Sequence, residues 1–504
     1  MTDLGDSLAQ LVRGAGIVFV GTVTGKVLAL LGQIFVVRSL PPDEFGTIAL
    51  AFTIVSVASG ILVVGAPQGI TRLLASSRET KEQIDYLRSG LLISLASGVI
   101  GMCAIYVFRD EIQRFTGTSG ISGLLAIFSI YVVLSPISRV ILGGLRGFKR
   151  STANVFAKNI VGQLGAFLFL IGLLAVGNAY LGLIIYWVSI PLLTIIAGIY
   201  LLNQSIRISD LPRDLPTSPR IKNFLSYSWP LALSGSFVLL MSQLDVIMIG
   251  LFLSANDVGQ YRSIQPLKEV VLFFLTSITF LYLPIATEYF TNGNLSGLNK
   301  LYTTSTKWVV TATFPIVLTC VLFPEDIIRT LFSESYLPAS TAFVILIVGM
   351  FSRVVVGPNG ATIQAINESQ VEMYASVAGG VSNLILNILL IPRIGIEGAA
   401  FATAVGFLTY NLVELIVIYR KTGLVPLSLD VYKPMVLTAA VGIVLVLIID
   451  NIELGVFSLA IITMLFVTVH ISSLFVTQSI SQEDQLVLEK IEDKTGLNLT
   501  ILRL

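Results

Sequence analysis

The chain has little of what catalytic and metal-binding proteins use most. Its 504 residues include one histidine, His470, and two cysteines, Cys103 and Cys320. Both cysteines fall inside apolar runs and read as small apolar packers, so neither a disulfide framework nor a metal site is expected. His470 lies near the last apolar run and reads as structural. Charge is scarce as well. Asp, Glu, Lys and Arg make up 12% of the residues, against roughly 25% in an ordinary soluble domain. The net charge of +1 gives no basic field for nucleic acid and no acidic tail for a basic partner. The N-terminal MTDLGDSLAQLVRG lacks the basic region and small-residue cleavage site of a secretory signal. The first helix is therefore expected to be retained as signal and anchor together.

What the chain has in excess is apolar surface, at 55% of its residues. A bilayer makes such a composition workable by replacing water around the outer surface. Apolar runs of about 20 residues predict fourteen spans: 14–37, 45–66, 89–108, 120–144, 154–176, 180–202, 225–252, 263–286, 308–324, 340–362, 371–392, 396–419, 433–449 and 455–477. With the N-terminus inside, twenty-one of the 31 Lys and Arg residues fall on the cytoplasmic side and seven on the outer side. That asymmetry supports cytoplasmic N- and C-termini and an even number of spans.

The sequence also repeats itself. SLPPDEFG (39–46) recurs as FLSANDVG (252–259), matching Gly46 to Gly259, and Pro67 recurs as Pro284. DEIQR (110–114) recurs as EDIIR (325–329), SRVILGG (138–144) as SRVVVGP (352–358), and LG (181–182) as EG (397–398). The offsets stay between 213 and 217. A unit of six helices gives both copies the same orientation, hence a parallel repeat about an axis along the membrane normal. The expected organisation is a six-helix lobe over 1–203, a cytoplasmic linker over 204–222, a second six-helix lobe over 223–421, two further helices within 422–477, and a cytoplasmic tail over 478–504. Two such lobes predict a cleft and alternating access, with a substrate site near the midplane.

Three cations fall within spans, where an ionisable group is costly unless it lines water or finds a partner. Lys26 lies about 18 Å from either end of its helix at 1.5 Å per residue. It is expected to face a hydrated cavity, the alternative being a structural pair with Asp245. Arg139 and Arg353 occupy equivalent repeat positions and are expected to face one shared cavity, where guanidinium suits phosphate or carboxylate. The alternatives are snorkelling to the headgroups or a packing remnant of the duplication. Asp245 reads equally as a structural partner or as a coupling-ion ligand, and Glu269 and Glu414 read as interfacial. GTVTGKV (21–27) fails as a phosphate loop: its glycines are too close together, Val27 replaces Ser/Thr, and no strand precedes it. Pro136, Pro230, Pro266, Pro315 and Pro358 are candidate kinks, and Gly143, Gly144, Gly379 and Gly380 permit close helix approach.

Taken together, LPPDEFGTIALA (40–51), LRGFKRSTAN (145–154), SQLDVIMIG (242–250) and SESYLPASTAFVILIVGM (333–350) resemble the polysaccharide-biosynthesis branch of the multidrug/oligosaccharidyl-lipid/polysaccharide flippase superfamily, the Wzx-like flippases. The resemblance covers nearly the whole chain. It implies an all-α polytopic membrane protein with a cationic cavity in a V-shaped pair of lobes. It further implies flipping of an undecaprenyl- or dolichyl-(pyro)phosphate-linked oligosaccharide across the cytoplasmic membrane. Lys26, Arg139 and Arg353 are the residues that could meet the phosphate. No catalytic residue, cofactor or metal is expected. Partners are the lipid-linked substrate and membrane lipids, with other polysaccharide-assembly proteins as candidates, and the chain is expected to act as a monomer. An ion-coupled exporter of small drugs or metabolites is the alternative. Drug exporters of the superfamily have twelve helices and acidic cation sites, from which this chain departs.

Overall fold

The computed structural model describes residues 2–204 apart from 64, 65 and 78; residues 206, 222, 224, 226, 228 and 239; and residues 242–480 apart from 427, 428, 450 and 451. The expected linker and tail lie almost wholly outside these residues, as does the first half of the seventh expected span. All regular structure among the described residues is helical. Hydrocarbon offers no partner to an open backbone N–H or C=O, so a spanning segment of this composition satisfies them within its own helix.

The helices are α1 (Thr2–Ser39), α2 (Pro42–Leu62), α3 (Ala66–Ser76), α4 (Thr80–Thr116), α5 (Ile121–Gly147), α6 (Ser151–Val155), α7 (Gly165–Ala175) and α8 (Ala179–Asn203). There follow α9 (Ser242–Phe252), α10 (Ala255–Ile264), α11 (Lys268–Val271), α12 (Phe273–Thr291), α13 (Leu295–Leu322), α14 (Pro324–Leu331), α15 (Ser340–Val355), α16 (Asn359–Ala365), α17 (Ser369–Thr422), α18 (Leu429–Ile449) and α19 (Val456–Val476). Among the described residues eleven helices are long and apolar enough to cross a bilayer, and a pair bent by 44° over Phe273–Thr291 brings the number to twelve. The 54-residue α17 holds two expected spans, 371–392 and 396–419. Its helical geometry lapses at Ile394 and at Gly395, where φ is +67°. The chain is an all-α polytopic membrane protein.

Residues divide into two compact units, Met1–Ser263 and Ile264–Leu504. In the first, Ile70, Leu74, Leu87, Val140, Ile141 and Leu145 form the buried core of α3, α4 and α5. Beside it Phe52 stacks on Trp187 at 4.1 Å and meets Phe128 and Tyr131 edge-on at 5.6 and 5.0 Å. In the second, Tyr282, Leu298, Tyr302, Ile363 and Ile418 tie α12, α13, α16 and α17 together.

The candidate kinks divide sharply. α5 and α13 run unbroken through Pro136 and Pro315. Pro266 falls in a short 3-10 turn, Gln265–Leu267. Only Pro358 ends a helix outright: Gly357 takes φ +66° and the chain restarts as α16. The equivalent SRVILGG in α5 has glycine where SRVVVGP has Pro358, and α5 continues. Pro230 lies outside the described residues.

The matched glycines Gly46 and Gly259 meet inside the first unit. A Cβ on Gly46 would collide with the Ala255 carbonyl, and one on Gly259 with the Pro42 carbonyl. The first turn of α2 and the middle of α10 therefore touch backbone to backbone, which only glycine permits. Gly46→Ala is expected to lower stability by about 1–3 kcal/mol through overpacking. Gly172→Ala, in open space on α7, is expected to be neutral or to stabilise by up to about 1 kcal/mol. Thermal unfolding in detergent measures both, and equal effects would contradict the close crossing.

Candidate functional site

Between α6 and α7 the chain widens into a π-helix over Phe156–Leu164. Such turns are rare and recur at functional sites. α1 packs against this segment through two glycines one turn apart. A Cβ on Gly21 would strike the Val155 side chain, and one on Gly25 would stand 2.9 Å from the Asn159 side chain. The glycines of GTVTGKV are thus a close-approach face of a helix, spaced small-xxx-small. Their neighbours in sequence, Lys26 on α1 and Lys158 on the π-helix, are carried to the same interface. Gln163 on the π-helix donates to the Tyr186 hydroxyl on α8, and Gly32 makes room for that ring on the α1 side.

Lys158 is exposed. Every charged group that bears on it among the described residues is a cation: Arg139 first, then Arg146, then Lys26. Arg139 and Arg146 project from α5 and both are exposed; Lys26 is exposed as well. The first unit therefore gathers four cations from α1, α5 and the π-helix. Like charges brought together in an apolar span repel unless an anion joins them. Guanidinium and ammonium groups of this kind form charge-assisted hydrogen bonds with carboxylates and phosphates.

Arg353 has different company. It is half-buried on α15, in the second unit, with its guanidinium 4.9 Å from the Phe407 ring and 6.0 Å from Tyr410. The carboxyl of Glu414 bears on it as well. The repeat-related arginines thus belong to separate units and differ in character, one among cations and the other among aromatic faces and a carboxyl.

Asp245 is buried on α9. Its Oδ2 accepts from the Tyr261 hydroxyl at 2.8 Å, its Oδ1 accepts from the Val246 N–H at 2.9 Å, and it is the carboxylate that bears on the Arg262 guanidinium. Arg262, on α10, is half-buried. No cluster of three or more His, Cys, Asp or Glu side chains suited to a metal occurs among the described residues.

Two residues escaped the sequence reading. Lys158 lies inside the expected span 154–176, yet so near its start that it reads as an inner-side charge; the glycine face of α1 was the signal that it is drawn inward. Glu414, expected at the interface, has 0% exposed surface.

Removing the carboxylate from Asp245 takes away the carboxylate that bears on the half-buried Arg262 guanidinium. Asp245→Asn is expected to cost on the order of 3 kcal/mol, with Asp245→Asn/Arg262→Gln recovering part of it. Thermal unfolding of the two variants decides the matter, and a neutral single substitution would exclude the pairing.

Comparison with known proteins identifies the setting of these residues. A family model for polysaccharide biosynthesis proteins matches residues 11–290, and one for MatE matches residues 230–389. The "Probable low-salt glycan biosynthesis flippase Agl15" of Haloferax volcanii is 24% identical, over 79% of this chain and 81% of that protein. The "Probable flippase AglR" of the same organism is 23% identical, over 89% of this chain and 92% of that protein. The solved structure of the lipid II flippase MurJ in an inward closed conformation superposes with a TM-score of 0.72 at 16% identity, covering 92% of this chain and 99% of MurJ. With more than half its length matched by the family model, the chain belongs to the polysaccharide biosynthesis protein family, and its fold is that of the flippase superfamily.

Proposed function

We propose that this protein flips a polyprenyl- or dolichyl-(pyro)phosphate-linked oligosaccharide from the cytoplasmic to the outer leaflet by alternating access, for surface polysaccharide or glycan synthesis. The observation that carries the reading is the gathering of Arg139, Arg146, Lys26 and Lys158 in the first unit. The relatives' names support it: two are described as flippases, one of them in glycan biosynthesis.

The physical task is set by the headgroup. Each hydroxyl and phosphate oxygen without a partner in hydrocarbon costs several kcal/mol, so an oligosaccharide phosphate does not cross unaided. A cluster of cations offers the phosphate charge-assisted hydrogen bonds in place of water, while the polyprenyl tail remains in the lipid. Lys158 and Arg139 bind the phosphate, with Lys26 at mid-depth on α1 extending the path. Arg353, held by aromatic faces, is a second contact used later in the crossing. Asp245 holds Arg262 and is structural. The positive-inside count supports cytoplasmic N- and C-termini, and in this reading the chain works as a monomer in the cell membrane. The bonds of the substrate are left unchanged: the cluster supplies cations and no acid–base pair.

The test is transfer of a lipid-linked oligosaccharide in proteoliposomes. Arg139→Gln and Lys158→Gln are each expected to lower the transfer rate about tenfold, equivalent to about 1.4 kcal/mol. Lys81→Gln, on the exposed start of α4, is expected to leave it unchanged. The competing reading, an ion-coupled exporter of small drugs, draws on the MatE match over the second half. Transport of a fluorescent organic cation by a preparation inactive toward lipid-linked oligosaccharide would establish that reading instead.

A further inference from the structure

Glu414 poses a problem that binding an anionic headgroup does not address. Its side chain has no exposed surface, and neither Oε1 nor Oε2 has a hydrogen-bond partner of full geometry among the described residues, although the Tyr410 hydroxyl reaches toward it. Gly360 on α16 closes over the carboxyl: a Cβ there would stand 3.7 Å from Oε1, 3.9 Å from Oε2 and 3.8 Å from the Tyr410 oxygen. One turn back on α17, the buried Asn411 accepts from Asn359 Nδ2 at 3.3 Å and leaves its own Nδ2 without an acceptor.

The charged and titratable groups that face Glu414 are Arg353 from α15, Tyr302 from α13, and Tyr410 and Glu372 from α17 itself. Tyr302 is spoken for, since its hydroxyl donates to the Val356 carbonyl at 3.0 Å. Arg353 lies over Phe407 rather than in contact with the carboxyl. A structural acid in a span is held by several donors or by a contacting cation. Glu414 has neither, and an ionised carboxylate so placed is strongly disfavoured while the neutral acid is an ordinary buried polar group.

The backbone beside the carboxyl is interrupted. Arg353 and Gly360 stand on opposite sides of the break at Gly357–Pro358, where Gly357 takes φ +66°. The helix axis is thus interrupted between the arginine and the segment that covers the carboxyl.

We propose that Glu414 is a proton-binding site. It carries a proton in the conformation described, and releases it to water when movement at Gly357–Pro358 uncovers it, the resulting carboxylate being compensated by Arg353. One proton is thereby taken up and released per conformational cycle. This deepens the transport reading by naming its driving ion, and rests on that reading only for the use to which the proton is put.

The test uses the wild-type protein in liposomes without substrate. Dicyclohexylcarbodiimide modifies protonated carboxyls in apolar surroundings, and mass spectrometry of the peptide bearing Glu414 reads the product. Labelling is expected at about pH 5.5 and to fall at least about tenfold by about pH 9, unaffected when sodium replaces potassium. Glu414→Gln removes the modification from that peptide. Absence of labelling throughout the range, labelling that ignores pH, or suppression by sodium would each overturn the proposal, the last pointing to a metal-cation site. Because no lipid-linked substrate is present, failure of the flippase reading leaves this result intact, and the converse holds equally.

Discussion

The cost of holding charge inside hydrocarbon governs everything else in this protein. A span of twenty apolar residues tolerates a lysine or arginine only where water, a counter-charge or an aromatic face replaces its hydration. Two arginines among the described residues have such an arrangement. Arg262 has Asp245 and Arg353 has Phe407 and Tyr410, while Lys158 is exposed and has Arg139 as its foremost charged neighbour. The helical packing that creates these settings depends on small residues. Gly21 and Gly25 let α1 lie close to α6 and the π-helix, which brings Lys26 near Lys158.

The matched motifs of the two halves differ at a few positions with large structural effect. SRVILGG and SRVVVGP differ little as sequences. Yet Gly143 and Gly144 let α5 continue to Gly147, whereas Gly357 and Pro358 end α15 and start α16. The arginine of the first motif looks toward other cations; that of the second lies by a carboxyl and two rings. A symmetric ancestor would carry the same site twice. This chain has a group of cations around the arginine of one copy and a carboxyl beside the arginine of the other.

Fold class was legible because it depends on bulk properties: apolar length, the distribution of Lys and Arg, and a repeat offset near 215 residues. Deeper features resisted for identifiable reasons. Pro136 and Pro358 look alike in sequence; only the preceding Gly357, in a conformation that favours glycine, marks the second as a break. Lys158 lies a few residues inside a span, where hydropathy cannot separate a side chain that snorkels from one drawn inward by a neighbouring helix. Glu414 falls near a basic helix end, Arg420 and Lys421, and such a position reads as interfacial. Its burial comes from α16, a seven-residue segment brought over it by a turn that apolar periodicity does not register. Charges in spans were thus easy to find and hard to partner, since partnering is a tertiary property.

The central claim is that the cation cluster of the first unit recognises the phosphate of a lipid-linked substrate. Equilibrium binding of a polyprenyl pyrophosphate and of the matching polyprenyl alcohol to the solubilised protein measures this most directly. The account predicts that the pyrophosphate binds at least about tenfold more tightly, that salt weakens its binding selectively, and that Arg139→Gln/Lys158→Gln abolishes the difference. Equal affinity for the alcohol and the pyrophosphate in the wild-type protein would contradict it.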